Sequence, residues 1–290
     1  MTGASTGIGR TFARELTATR YAVTAVGSED QLRTLVDELG SDHRYLVADL
    51  ATADGQGLVA DEPARHPVDL LVNNAGTAHH GPFTETTAQD ALTAIRLNCE
   101  AVVALAHAFL AQARPSDALI NVSSTLAYAP TPGLTVYSAS KSFVTSLSEA
   151  LWHEQRPYGV YVMGLCPGTT ATDSQSLSHE DAPAALTQTP GALVAAALRA
   201  LDRRARPTVV SGTANSVFAF AARLLPRRTA LALLARRRRS RAHTHRPGFA
   251  PIRVGLRGPT SRPPEDQSCD LPTVVGHHPT GLPDRPGPFL

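Results

Sequence analysis

Short β-branched runs alternate with longer Ala- and Leu-rich segments from residue 21 to residue 211, and this alternation is the feature that most constrains the fold. It is typical of βαβ units, in which helices cover both faces of a parallel sheet. Within residues 135–155, Val144, Leu147 and Leu151 recur at steps of three and four, as on a core-facing helix. We therefore predict one α/β domain with a doubly wound, Rossmann-like parallel sheet.

Six strands and five helices follow from this pattern. The strands are predicted at residues 21–26, 44–48, 68–72, 118–122, 160–165 and 208–210, and the helices at residues 7–19, 30–39, 88–112, 135–155 and 191–203. No run reaches the roughly 18 uncharged apolar residues of a membrane-spanning helix, and the polar N-terminus does not resemble a signal peptide. Cys99, Cys166 and Cys269 are odd in number and widely spaced, which argues against disulfides and zinc. We expect a cytoplasmic protein with reduced thiols and no metal.

The formal net charge of +2 hides two unlike parts of the chain. Residues 1–202 carry 11 basic and 21 acidic residues, whereas residues 203–290 carry 16 basic and 4 acidic ones. We predict an α/β domain at residues 1–211, a basic helical segment at 212–239 and a Pro-, Gly- and Arg-rich disordered tail at 240–290, which has too little apolar surface to fold. The run Arg236, Arg237, Arg238 and Arg239 is most simply a solvated helix end. Contact with a membrane surface is its alternative, and no nucleic-acid partner is expected.

Residues 2–10 read Thr-Gly-Ala-Ser-Thr-Gly-Ile-Gly-Arg. Gly3, Gly7 and Gly9, with Ser5 and Ile8 between them, allow a tight turn and the close approach of a pyrophosphate. The helix predicted to follow would bring its positive N-terminus to that phosphate charge. The alternative is an ordinary turn before a helix, because the spacing differs from the G-x-G-x-x-G form.

Tyr137 and Lys141 are four residues apart on a predicted helix and therefore lie on one face of it. A phenol titrates near pH ~10, and an adjacent cation favours its ionised form. The two side chains can thus act as a tuned acid and base, and the alternative is a chance meeting on a helix surface. The functional interpretation is favoured because Lys141 is the only lysine, whereas the other 26 basic residues are arginines.

Together with further motifs in order along the chain, these residues resemble the short-chain dehydrogenase/reductase family over about residues 2–211. The further motifs are Asp49-Leu50, Asn73-Asn74-Ala75-Gly76, Asn98, Asn121-Val122-Ser123-Ser124, and Pro167-Gly168 followed by Thr172. The resemblance implies an NAD(P)-dependent oxidoreductase that interconverts a carbonyl and an alcohol by hydride transfer. Its partner would be a small-molecule carbonyl or alcohol substrate, and long helices commonly pair subunits of the family into a homo-oligomer.

The resemblance also implies a role for each motif residue. Tyr137 would exchange a proton with the substrate oxygen, Lys141 would lower the pKa of Tyr137 and hold the nicotinamide ribose, and Ser124 would orient the carbonyl. Asn98 would help to hold a relay water, or else cap a kink. Ser123 should point to the other side of the strand end. The implied cofactor-binding residues are Gly3, Ser5, Gly7, Ile8, Gly9, Asp49, Asn74, Ala75, Gly76, Tyr137, Lys141, Pro167, Gly168 and Thr172. Among these, Asp49 would meet the adenine, or else cap a helix, and Thr172 would bind the carboxamide, or else be an ordinary loop residue.

The N-terminus departs from the family pattern. The family has an apolar strand directly before the Thr-Gly turn, whereas here only Met1 precedes it. We expect such a strand to lie in the middle of the sheet, next to residues 44–48 and 68–72, and its absence would leave backbone groups of both neighbours unpaired. The expectation is therefore that the functional polypeptide begins upstream.

The end of the predicted strand 21–26 is a second departure. An acid at this position would accept a hydrogen bond from a ribose 2′-hydroxyl, but Val26 and Gly27 stand there. Its absence favours NADP over NAD, with Ser28 or Arg10 as the contact to the 2′-phosphate.

Two alternatives to this activity remain open. One is a non-catalytic dinucleotide-binding, redox-sensing module, and intact Ser124, Tyr137 and Lys141 argue against it. The other is a sugar-nucleotide epimerase or dehydratase, since such relatives also carry Tyr-x-x-x-Lys. Their glycine spacing is typically GxxGxxG, whereas this chain has GxxxGxG. The sequence does not identify the substrate, and the loop at residues 169–190 is expected to close over it.

Overall fold

The computed structural model of the chain describes residues 1–27, 29–171 and 186–232. Its strands in chain order are β1 (Thr24–Gly27), β2 (Arg44–Val47), β3 (Leu70–Asn73), β4 (Ala118–Val122), β5 (Tyr161–Cys166), β6 (Thr169–Thr170), β7 (Thr187–Gln188) and β8 (Thr208–Val210). Its α-helices are α1 (Gly7–Ala18), α2 (Glu29–Leu39), α3 (Ala53–Ala60), α4 (Glu62–Arg65), α5 (Ala88–Ile95), α6 (Ala101–Leu110), α7 (Thr135–Gln155), α8 (Pro190–Arg203) and α9 (Thr213–Leu224).

Parallel pairing dominates the sheet, as the sequence predicts. Strands β3, β4, β5 and β8 form one sheet in that order, and β1 pairs with β2. Every residue of β4 and β5 is buried, which is what a sheet covered on both faces requires. Successive residues face opposite sides: Ile120 packs with Phe12 in one core cluster, while Leu119 packs with Phe109 in the other. The predicted α/β Rossmann-like fold is confirmed.

The N-terminal residues lie between β1 and β3. The Val26 amide donates to the Met1 carbonyl at 2.9 Å, and the Thr2 amide donates to the Val72 carbonyl at 2.9 Å. The sequence predicts residues 44–48 and 68–72 as the neighbours of this position. The prediction of residues 44–48 is wrong, because β1 lies between Met1 and β2. The expectation that the functional polypeptide begins upstream stays a prediction.

The long helix predicted at residues 88–112 is divided. A π-helical turn, Arg96–Glu100, separates α5 from α6 and carries Asn98. Such turns inside α-helices are often found at functional sites. By length and composition the stretch Ala88–Leu110 is apolar enough to cross a membrane. Its residues Ala101, Leu105 and Phe109 are buried in the core, however, as in a core helix of a globular domain.

Other parts of the chain fall partly or wholly outside the described residues. Helix α9 agrees with the predicted helical segment at 212–239, whereas the tail at 240–290 and the run Arg236 to Arg239 lie outside the described residues. Of the loop predicted to cover the substrate, residues 172–185 also lie outside, and its two ends are joined by pairing of β6 with β7. The domain limits at 211 and 239 stay predictions.

Two glycines of α3 give a matched test of its packing. A side chain on Gly55 would collide with the backbone of Asp49, whereas a side chain on Gly57 would meet nothing within 4 Å. We expect Gly55→Ala to lower the free energy of unfolding by about 1–3 kcal/mol through overpacking. Gly57→Ala should raise it by roughly 0.5–1 kcal/mol, because alanine is the better helix former. Urea unfolding of the two variants measures both effects, and equal stabilities would contradict the close packing of Gly55 against Asp49.

Candidate active site

The predicted site residues meet at one edge of the sheet, where parallel strands end and Rossmann-like folds bind ligands. The loop Asn74 to Gly76 follows β3, Ser123 and Ser124 follow β4, and Pro167 and Gly168 follow β5. The glycine turn at residues 3–9 leads into α1 and lies beside these segments. Because these segments come from distant parts of the chain, their contacts test whether the motifs form one site.

The glycine turn is bound directly to the loop after β3. The Asn74 side-chain amide donates to the carbonyls of Thr2 and Gly3, at 3.2 and 3.0 Å. In return, the Thr2 hydroxyl accepts from the Asn74 and Ala75 amides, both at 3.0 Å. Gly3 has φ +64° and lies against Ala75, where a Cβ would approach to 2.8 Å. The structure thus brings two of the predicted motifs into contact.

The N-terminus of α1 is free of a side-chain cap. Thr6 occupies the N-cap position without a side-chain hydrogen bond, so it satisfies none of the first amides of the helix. Gly7 has φ +54°, and a side chain on Gly9 would collide with the Gly3 carbonyl. Ile8 packs on the core, and Ser5 lies against Gly27. The turn therefore requires glycine at these positions and can present its amides to an anion.

Lys141 is 5% exposed, and its ammonium donates to the Val122 carbonyl at 2.8 Å. Its Nζ lies 3.4 Å from the place where a Cβ on Gly76 would stand, and 5.7 Å from the ring centre of Tyr137. Burial lowers the pKa of Lys141 to about 8. Burial also raises the pKa of the Cys99 and Cys166 thiols, so both stay protonated at neutral pH.

Tyr137 lies next to Ser124. Burial raises the pKa of Tyr137 above its usual range, and a hydrogen bond with the Ser124 hydroxyl partly opposes that rise. This direction is opposite to the lowering that the sequence predicts from Lys141, because desolvation of the phenolate dominates. The Ser124 oxygen also accepts from the Leu126 amide at 3.2 Å. At neutral pH the phenol is therefore protonated and able to donate.

Asn98 is fully buried, and its side chain joins two walls of the site. Its amide donates to the Thr77 carbonyl at 2.8 Å and to the Ser140 hydroxyl at 3.1 Å, while its oxygen accepts from the Thr77 amide at 2.9 Å. Ser140 in turn donates to the Tyr137 carbonyl at 2.8 Å. The side chain therefore positions the loop after β3 against α7.

The hydroxyl of Ser123 is bonded to α7 residues other than Tyr137. Its hydroxyl donates to the Lys141 carbonyl at 2.7 Å and lies 2.7 Å from the Thr145 hydroxyl. Ser124 follows Ser123 at the strand end and lies next to the phenol of Tyr137. The assignment of Ser124 rather than Ser123 to the site stays a prediction.

The remaining predicted residues are Asp49, Pro167, Gly168 and Thr172. Asp49 is exposed and accepts from the Ala51 amide at 2.9 Å, and the N-cap of α3 is Thr52 rather than Asp49. The Pro167 carbonyl accepts from the Thr125 amide at 2.8 Å, and Thr172 lies outside the described residues. Val26 is 3% exposed in the core, so it is not the strand-end position of the missing acid, and that position is Gly27.

Two positively charged groups retain donors that fit a dinucleotide phosphate or ribose. Arg10, in the first turn of α1, pairs with Glu38 at 2.5 Å, but its buried Nε has no partner among the described residues. Among the described residues, the ammonium of Lys141 has one hydrogen-bond partner, the Val122 carbonyl. Two of its N–H groups are therefore left for other acceptors. Buried donors without partners are rare in folded proteins. The donor set thus fits a polyhydroxyl, phosphate-bearing cofactor.

Several residues that make contacts in the site were not predicted from the sequence. Thr2, Ser140 and Thr77 hold Asn74 and Asn98, and Asn215 of α9 packs against Gly168 so closely that a side chain there would collide with it. Thr2 and Ser140 carried a signal, since Thr2 begins the glycine turn and Ser140 stands three residues after Tyr137 in the same motif. Thr77 and Asn215 become visible only when the fold brings distant segments together.

The chain matches the short chain dehydrogenase family over residues 1–183. The chain belongs to that family. A very-long-chain 3-oxoacyl-CoA reductase from Pyrenophora tritici-repentis is 32% identical over 175 residues, covering 56% of this chain and 51% of the relative. An inactive hydroxysteroid dehydrogenase-like protein 1 from Homo sapiens is 28% identical over 189 residues, covering 62% of this chain and 57% of the relative.

Solved structures support the same assignment. A short-chain dehydrogenase from Sphingobium yanoikuyae in complex with NADPH superimposes with a TM-score of 0.68 at 28% identity, covering 88% of this chain and 98% of that one. By contrast, the chain spans between half and two thirds of the length of the curated relatives named above. The match establishes the family and its Rossmann-like fold, whereas the activities and substrates of the relatives are not thereby transferred to this chain.

The burial of Lys141 predicts a pH dependence of stability. Its pKa is about 8 in the folded protein and 10.5 as an ordinary lysine, so between these values the unfolded chain binds a proton that the folded chain has released. The free energy of unfolding should therefore rise with pH in this window, by at most about 1.4 kcal/mol per pH unit. Chemical unfolding of the cofactor-free protein and of Lys141→Met, compared across the window, isolates this contribution. Parallel curves for the two proteins would contradict it.

Proposed function

We propose that this protein is an NADP-dependent oxidoreductase that interconverts a carbonyl and an alcohol, with Ser124, Tyr137 and Lys141 as its proton-transfer system. The observation that carries the proposal is the buried ammonium of Lys141, which lies 5.7 Å from the ring centre of Tyr137, with Ser124 close enough to influence the pKa of that phenol. A protonated phenol, an orienting hydroxyl and a nearby cation are what a carbonyl oxygen needs as it gains negative charge.

Each residue has a distinct part in this mechanism. The nicotinamide would supply or accept the hydride, and the protein contributes position and electrostatics. Ser124 donates to the substrate oxygen and orients the carbonyl. Tyr137 gives its proton to that oxygen during reduction and takes it back during oxidation. Lys141, whose pKa of about 8 leaves it mostly charged at pH 7, stabilises the phenolate that forms.

The cofactor would lie along the edge where the motifs meet. The turn at Gly3, Gly7 and Gly9 would hold the pyrophosphate, and the loop Asn74 to Gly76 would line the cleft. Lys141 has the donors for the ribose hydroxyls. Asp49 at the adenine, Thr172 at the carboxamide and a relay water near Asn98 remain part of the proposal.

Substrate class, location and assembly are proposed at a coarser level. The relatives' names make 3-oxoacyl thioesters and ketosteroids the first compounds to include in a substrate panel. A homo-oligomer is favoured by exposed apolar side chains on neighbouring helices, namely Leu92, Ile95, Val103 and Phe143. A cytoplasmic location stays a proposal.

A non-catalytic dinucleotide-binding module is the second candidate. One specific observation favours it, since a relative at 28% identity is named as inactive. NADPH binding without oxidation of NADPH across the ketone panel would support that candidate. A sugar-nucleotide epimerase or dehydratase would be supported if nucleotide sugars were converted without net consumption of the cofactor.

Substitution of Tyr137 tests the catalytic assignment. We expect Tyr137→Phe to lower kcat by about 10² to 10⁴-fold, since the proton donor is removed. The dissociation constant of NADPH should stay unchanged. Tyr158→Phe is the matched control, because Tyr158 is 67% exposed and lies apart from the site. A Tyr137→Phe enzyme that keeps more than roughly a tenth of the wild-type rate would refute the assignment.

Arg10 tests the preference for NADP. We expect NADPH to bind more tightly than NADH, and Arg10→Gln to raise the dissociation constant of NADPH about ten-fold or more, as for a lost charged hydrogen bond. NADH, which lacks the 2′-phosphate, should be affected less. Arg14→Gln is the control, because Arg14 also pairs with Glu38 but lies one turn farther along α1. Tighter binding of NADH by the wild-type protein, measured at fixed salt, would contradict the preference.

A further inference from the structure

A cavity of about 590 Å³ opens between α8, β8 and α9. None of its lining residues belongs to the candidate active site. Its apolar floor includes Ala196, Ala200, Val209 and Phe220. Four arginines line it as well, so the cavity combines an apolar floor with cationic walls.

Three of these arginines have no counter-charge among the described residues. Arg223 pairs with Glu149 at 3.4 Å and stacks on Tyr128, but Arg199, Arg203 and Arg206 make no side-chain hydrogen bond or ion pair within the described residues. Residues 190–232 contain seven arginines and a single acidic residue, Asp202. Like charges gathered around one cavity repel each other unless an anion joins them. The cluster therefore points to an anionic ligand.

Helix α9 adds an apolar stripe beside the cavity. Val217, Phe220 and Leu224 recur at steps of three and four, so they lie on one face of the helix. They are 68%, 64% and 69% exposed, and Phe220 also lines the cavity. Arg227 and Arg228 follow the helix and are exposed. Exposed apolar side chains next to arginines are typical of a helix that lies in a membrane interface.

We propose that this basic face, made of Arg199, Arg203, Arg206, Val217, Phe220 and Leu224, docks on an anionic phospholipid bilayer. The arginines would bind headgroup phosphates, and the stripe would enter the boundary between headgroups and acyl chains. A free anion would satisfy the arginines but leave three apolar side chains in water. Binding to a bilayer accounts for both features.

Two other occupants are disfavoured by charge. A second copy of the chain, meeting this face through a two-fold axis, would set the same arginines against each other. Residues 233–290 of the chain carry 10 arginines and 4 acidic residues, so that segment is also positively charged. An anionic bilayer is the complementary surface, and the proposal does not depend on the oxidoreductase activity.

Co-sedimentation of the full chain with vesicles tests the proposal. We expect binding to vesicles of phosphatidylcholine with phosphatidylserine, and little binding to phosphatidylcholine alone. Each arginine near an anionic surface contributes about five-fold to partitioning, so a triple change of Arg199, Arg203 and Arg206 to Gln should weaken binding roughly 100-fold. The matched control changes Arg20, Arg65 and Arg114 to Gln, which removes the same charge from exposed positions elsewhere.

The apolar stripe has its own variant. Val217→Ser, Phe220→Ser and Leu224→Ser together should also release the protein from anionic vesicles. The single variants Arg203→Gln and Phe220→Ser keep the test valid if a triple variant fails to fold. Wild-type binding by the arginine variant would overturn the proposal, because attraction would then come from other residues. Wild-type binding by the stripe variant, equal binding to neutral vesicles, or full release by inorganic phosphate at matched ionic strength would overturn it too.

Discussion

The buried ammonium of Lys141 is the constraint around which the site is arranged. A buried charge without compensation is costly, and the described residues offer this one no carboxylate. Its compensation comes from the Val122 carbonyl at the end of β4 and from the polar surroundings of Asn98 and Gly76. The end of β4, the loop after β3 and the π-helical turn therefore have to meet at one point.

Asn98 shows how that meeting is made rigid. Its side chain bonds Thr77 on one wall and Ser140 on the other, and Ser140 bonds the backbone of Tyr137. In a regular α-helix from residue 88 to residue 110, the residues after the π-helical turn would be rotated about the helix axis relative to their observed positions. The π-helical turn therefore sets where Asn98 points. The side chain thus transmits the position of the loop after β3 to the helix that carries the phenol and the ammonium.

The sequence predicts the order of the elements well because hydrophobic periodicity and β-branched runs are local signals. The predicted strand 118–122 agrees with β4 to the residue, and helix 135–155 agrees with α7. Helix α3 was not predicted, because Asp54, Gly55 and Gly57 have poor helix propensity. Its packing against Asp49 stabilises the helix instead. The break at the π-helical turn was also missed, because both halves keep nearly the same apolar face.

Site chemistry was predictable to the extent that it depends on residue type and spacing. Ser124, Tyr137 and Lys141 come together as their positions in the sequence suggest, but the direction of the Tyr137 pKa does not follow from a neighbouring cation. Desolvation depends on the whole surroundings of the phenol, and only the fold determines those surroundings. With a raised pKa for Tyr137 and a pKa of about 8 for Lys141, the pair at pH 7 holds a protonated phenol beside a cation. In the proposed reaction, the resting protein would therefore be in the form that donates a proton to a carbonyl oxygen, whereas alcohol oxidation would first require the phenolate. In that proposal the charged ammonium, 5.7 Å from the ring centre, would lower the cost of forming the phenolate.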